Sequence, residues 1–160
     1  MSSLFRAGLA AALLILAPLV ANAADKPFQN KDLADSAIKL EAQIKSDAGA
    51  ATKPVAQIRH DADAAFSRND FRTGMALLGQ IVAAAPNDST TWLRLARAIM
   101  QIKPADDKER RLLLERASTA AYLAYQRTSS RNEEADSLTL LGNVLAQREQ
   151  WLRGPATEDQ

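Results

Sequence analysis

Residues 58–92 read IRHDADAAFSRNDFRTGMALLGQIVAAAPNDSTTW, and their spacing decides the fold. Ile58, Ala62 and Ala65 recur at three- and four-residue intervals, the period of one helix face. Arg68-Asn69-Asp70 interrupts that pattern with turn-forming side chains, and Phe71, Gly74, Leu78 and Ile81 then resume it. Ala85-Pro86-Asn87-Asp88 ends the second run. The spacing predicts a hairpin of two helices, the first from Pro54 to about Arg68 and the second from Phe71 to Ala84.

The same period extends outward on both sides. Ser89 or Thr90 is expected to cap a helix with Trp92, Leu95, Ile99 and Met100 on its apolar side, stopping near Lys103-Pro104. Asp106 or Asp107 should cap a long helix to about Arg127, with Leu112 to Leu114, Ala117, Ala121 and Ala124 facing inward. After a Thr128–Ser130 turn, Asn132 caps a last helix carrying Leu138, Leu141, Leu145 and Trp151. Before the hairpin, Asn30 opens an amphipathic helix with Leu33, Ala37, Leu40 and Ile44, closed by Gly49 and a linker to Pro54. With aromatics at 5% and alanine abundant, close-packed helices are favoured over a sheet, so an all-α fold is expected.

The segments also repeat one another. Ile58 and Trp92 are 34 residues apart, the length of a tetratricopeptide helix-turn-helix unit. Trp92, Leu95, Ala96 and Ile99 share their internal spacing with Leu138, Leu141, Gly142 and Leu145, and both sets resemble the first-helix half of that unit. Gly74, Leu78, Ile81 and Pro86 resemble its second half, with Phe71 at the turn aromatic. The resemblance implies tetratricopeptide-like hairpins stacked as a short right-handed solenoid. Two departures stand out. Trp92 and Leu138 lie 46 residues apart, which lengthens the second unit, and Pro155 follows Trp151 where a further packing helix would belong.

The chain opens with Arg6, an apolar run from Ala7 to Val20 and Ala21-Asn22-Ala23, the small-x-small pattern cut by signal peptidase. That run is about 14 residues, short of the roughly 20 needed to span a bilayer. The reading is a signal peptide over 1–23, an amphipathic helix and linker over 24–53, a repeat domain over 54–151 and a disordered tail over 152–160. A secreted, periplasmic chain follows, with no membrane association after removal of the leader. No cysteine is present, which argues against a lipid-anchored lipoprotein and excludes disulfides and thiol nucleophiles. The leader removes one of 20 basic residues and none of 19 acidic ones, leaving a neutral chain with no general attraction for nucleic acid.

The leader, the helix before the hairpins, the run from Asn69 to Ala76 and Ala85-Pro86-Asn87-Asp88 resemble the N-terminal helical region of the bacterial alpha-2-macroglobulin family, and by that resemblance the chain is expected to be a truncated piece of a longer parent. In some members of that family such a segment precedes the β-sandwich array that traps proteases.

Candidate chemistry is sparse. His60, the one histidine, lies beside Asp61, but neighbours on a helix point about 100° apart, no nucleophile accompanies them, and one histidine cannot build a metal site. Asp106, Asp107 and Glu109, like Glu133, Glu134 and Asp136, stand in first turns where negative charge favours the helix terminus. No catalytic, cofactor or metal site is expected. By the resemblance, Arg59, Asp63, Arg97 and Asn143 face the groove formed by the first helices, where a partner peptide would lie. Leu138, Leu141, Leu145 and Trp151 form an expected open-end packing surface, for self-association or for downstream domains of a longer parent. The function expected is a non-catalytic protein-interaction module; a free-standing envelope adaptor is the alternative to the protease-trap segment.

Overall fold

The computed structural model describes residues 26–49 and 53–153, so the expected leader and residues 154–160 of the expected tail lie outside the described residues. The described residues form six α-helices: α1 (Lys31–Ala48), α2 (Val55–Ser67), α3 (Phe71–Ala84), α4 (Ser89–Gln101), α5 (Asp107–Arg127) and α6 (Arg131–Arg153). The all-α expectation is met, with no strand among them.

Local chemistry sets the boundaries. Asn30 Oδ1 accepts the amide of Leu33 at 3.0 Å and starts α1. Gly49 ends it at φ 58°, a left-handed conformation that favours glycine. Asp70 caps α3 through the amide of Thr73 at 3.1 Å, directly after Asn69 takes up φ 58° in the α2–α3 turn. The α4 cap is Asp88, not Ser89 or Thr90: its Oδ1 accepts the amide of Thr91 at 3.1 Å, and the two hydroxyls turn elsewhere. Asp106, the first of the two candidates, caps α5 through Glu109 at 2.7 Å. The last helix begins at Arg131, where the Glu134 amide donates to the Ser130 carbonyl at 2.9 Å, so Asn132 lies inside it.

Consecutive helices pack on one another from α2 to α6, and α1 departs from that order by packing on α3 and α5 instead of on its neighbour α2. This makes α5 the centre of the molecule. From Ala117 to Gln126 every residue is buried, because α4, α6 and α1 cover α5 on different sides. Alanines 117, 120, 121 and 124 hold that helix close to its neighbours, while Tyr122 and Tyr125 fill the space towards the N-terminal segment. Leu113 and Leu114 are buried but Leu112 is 44% exposed, correcting the expectation that all three face inward. Three successive helical residues sweep about 200° of the surface, wider than one packing face.

The core runs from Leu33 and Leu40 of α1 through Ile58, Leu78 and Ile81 to Trp92, Leu95 and Leu141. Trp92 is 1% exposed and satisfies its indole by donating to the Pro86 carbonyl at 2.7 Å. Among the described residues no helix is long and apolar enough to cross a membrane.

Candidate functional site

α2 and α4 exchange an ion pair between half-buried Arg94 and exposed Asp63, Nη2 to Oδ1 at 2.5 Å. One helix further on, Arg97 Nη2 of α4 reaches Asp136 Oδ2 of α6 at 3.1 Å. Arg94 and Arg97 stand three residues apart and therefore share a face of α4, from which one arginine reaches each neighbouring helix. Arg59 of α2 completes the set by pairing with Asp88 at 3.2 Å, below the α4 terminus.

Three of the four groove residues expected from the sequence thus carry interhelix ion pairs. Arg59, Asp63 and Arg97 fall on the side shared by α2, α4 and α6. Asn143 is exposed on α6, two turns beyond Asp136 on the same face. Arg94 and Asp136 complete the row although spacing did not single them out. The three-residue step back from Arg97 was the available signal for Arg94. For Asp136, its position near the α6 start pointed to capping, but its carboxylate instead pairs with α4.

These pairs are largely exposed, so each contributes at most about 1 kcal/mol of stability. Their consequence is geometric: two guanidinium groups on α4 stand between a carboxylate on α2 and another on α6. Such a row can meet a polypeptide's carboxylates, amides and carbonyls through charge-assisted hydrogen bonds.

A second polar cluster closes the α3–α4 turn against α6. The Glu133 carboxylate accepts hydroxyl donations from Thr90 at 2.6 Å, Thr128 at 2.8 Å and Ser89 at 2.9 Å, and these hold its pKa below the usual glutamate value. Burial alone would raise the Asp88 carboxyl, but the Thr91 hydroxyl and amide and the Arg59 guanidinium together carry it below its ordinary value. Both carboxylates therefore act as structural acceptors at neutral pH.

The expected open-end residues divide. Leu141 is buried in the chain's own core, and Leu138 and Leu145 pack partly against it, so this stripe is used by α5 and α6 internally. Trp151 is half-buried and lines an open cleft of about 750 Å³ between α6 and the α4–α5 junction, with Met100, Ile102 and Leu113 on the facing walls. α6 itself continues to Arg153, past the expected domain boundary at 151.

His60 has a 79% exposed side chain, with Nδ1 3.8 Å from Asp61 Oδ1, whose carboxylate already accepts from Lys53 and Gln57. Among the described residues no cluster of three or more His, Cys, Asp or Glu side chains converges as metal ligands would. The chain matches no protein-family model, no curated protein and no solved structure with which it was compared.

Proposed function

We propose that the protein is a non-catalytic interaction module whose hairpins stack in the tetratricopeptide manner as a short right-handed solenoid. On this reading it is the N-terminal segment of an alpha-2-macroglobulin-like protease-trapping protein of the periplasm. A partner polypeptide, or another part of the parent, lies across α2, α4 and α6. The observation that carries the reading is the pair of links from one face of α4, Arg94 to Asp63 and Arg97 to Asp136, which joins three helices into one polar surface. Gly74 supports it, being the small residue at the point where α3 closes on α2. The long α5, of 21 residues against 14 in α3, accommodates the wider interval between Trp92 and Leu138.

Affinity capture from periplasmic extract, comparing the wild type with Arg97→Glu, tests this. The substitution sets like charges against Asp136 at an exposed position, so it alters the surface and leaves the core intact. A partner held by the wild type and lost from the variant is expected; equal recovery by both contradicts the groove assignment.

A further inference from the structure

The C-terminal half of α1 does not lie flush on the helices beneath it. Between it and α3, α4 and α5 remains a chamber of about 170 Å³ walled by Leu40, Ile44, Met75, Leu95 and Ile99. An apolar cavity of roughly 150 Å³ holds a benzene-sized guest, so by size this chamber accommodates one branched aliphatic side chain or one aromatic ring. It is too small for a long acyl chain.

The lining also carries polar and charged groups. Arg116 of α5 and Asp47 of α1 both belong to it, together with the amides of Gln43 and Gln80. Arg116 is half-buried, and neither it nor Asp47 forms an ion pair among the described residues. A half-buried guanidinium without a carboxylate partner favours an anion, and an unpaired carboxylate lining the same chamber favours a cation. A simple fatty acid would satisfy Arg116 but meet repulsion from Asp47. One small molecule satisfying both groups carries a carboxylate, an ammonium and an apolar side chain on a single carbon.

We infer that this chamber is a binding site for a free α-amino acid with a branched aliphatic or aromatic side chain. The carboxylate pairs with Arg116, the ammonium with Asp47, and the side chain enters among Leu40, Ile44 and Met75. The site lies on the opposite side of α4 and α5 from the ion-paired row and stands independently of the function proposed above. Because α1 forms its roof, occupancy also fastens the C-terminal half of α1 to α3 and α5.

Isothermal titration of the purified protein with L-leucine and L-phenylalanine tests the site, with leucinamide, 4-methylpentanoate and glycine as comparisons. Saturable binding of one equivalent of leucine or phenylalanine is expected. Leucinamide lacks the carboxylate and 4-methylpentanoate the ammonium, and each should bind at least about tenfold more weakly, as expected when one charged partner is lost; glycine, without a side chain, should not bind. Arg116→Gln and Asp47→Asn should each weaken leucine about tenfold with unchanged circular dichroism. Gly79→Leu should abolish binding in a folded protein, since the only neighbour of a Cβ at Gly79 is Ile44, at 3.9 Å across the chamber. Absence of leucine and phenylalanine binding at millimolar concentration overturns the proposal, as does unchanged leucine affinity in Arg116→Gln or equal affinity for 4-methylpentanoate.

Discussion

Phe66 of α2 occupies the space where any side chain at Gly74 of α3 would begin: a Cβ built on Gly74 would lie 2.1 Å from Phe66 Cε1. The ring is held there by Phe71, with centroids 6.2 Å apart, and by the Arg94 guanidinium 5.6 Å above it. The close approach of α2 and α3 therefore depends on the absence of one methyl group.

Gly74→Ala should accordingly destabilise the protein, although alanine is intrinsically the better helix former by about 1 kcal/mol. Displacing the ring costs about 1 to 3 kcal/mol as overpacking, so a net loss of about 1 kcal/mol is expected in urea unfolding. With Phe66→Ala already in place, Gly74→Ala should become neutral or stabilising. Equal effects in both backgrounds would show that the ring is not the obstacle.

Trp92 is the largest fully buried side chain and touches both ends of the second hairpin. Its indole donates to Pro86, while the Arg127 guanidinium, 5.3 Å from the ring centroid, donates to the same carbonyl and pairs with Glu41 of α1. Trp92→Ala should cost about 3 to 5 kcal/mol in denaturant unfolding. Trp92→Phe should cost less, because Arg127 still satisfies the Pro86 oxygen.

Acid should weaken the fold through Asp88 and Glu133. Both have folded pKa values below their unfolded ones, so their contribution is full above the unfolded values and is lost as pH falls through the folded values. Unfolding free energy should be nearly level near neutrality and decline below about pH 5. In Asp88→Asn and Glu133→Gln stability at pH 7 should be lower and the acid decline shallower. A decline as steep as in the wild type would remove these two groups from the account.

The N-terminal segment is fastened by contacts distant in sequence. The Phe28 amide donates to Tyr125 Oη at 2.9 Å, its carbonyl accepts from Gln126 at 3.2 Å, and its ring meets Tyr122 and Tyr125 edge-on. Lys26 reaches Glu134 of α6 at 3.0 Å. Phe28→Ala should cost about 2 kcal/mol from lost aromatic contact and burial. Hydrogen exchange should then accelerate in residues 31–48 and not in α4; uniform acceleration would mean that α1 and the rest open together.

How much of this was legible follows from the range of each interaction. Local signals located the helices closely: Asn30, Asp106 and the polar break at residues 68–70 act within a turn, and the observed boundaries follow them. Local sequence does not separate Asp88 from Ser89 or Thr90, since Asp, Ser and Thr are nearly equal as caps, whereas in the fold Glu133, 44 residues beyond Ser89, takes the competing hydroxyls. The placement of α1 across α3 and α5 rests on Phe28 meeting Tyr125 and on Glu41 meeting Arg127, pairs some 90 residues apart that no periodicity encodes. Likewise the stripe of Leu138, Leu141 and Leu145 is apolar whether it packs internally or stays open, and only the path of α5 shows that it packs internally.

The face shared by α2, α4 and α6 is most directly tested by placing a photo-crosslinking amino acid at residue 97, at residue 143 or at exposed residue 38 of α1, and irradiating cells that express the full chain. One common adduct is expected from positions 97 and 143 and none of that mass from position 38. Adducts from position 38 alone, the same adduct from all three, or none from 97 and 143 would contradict the groove assignment.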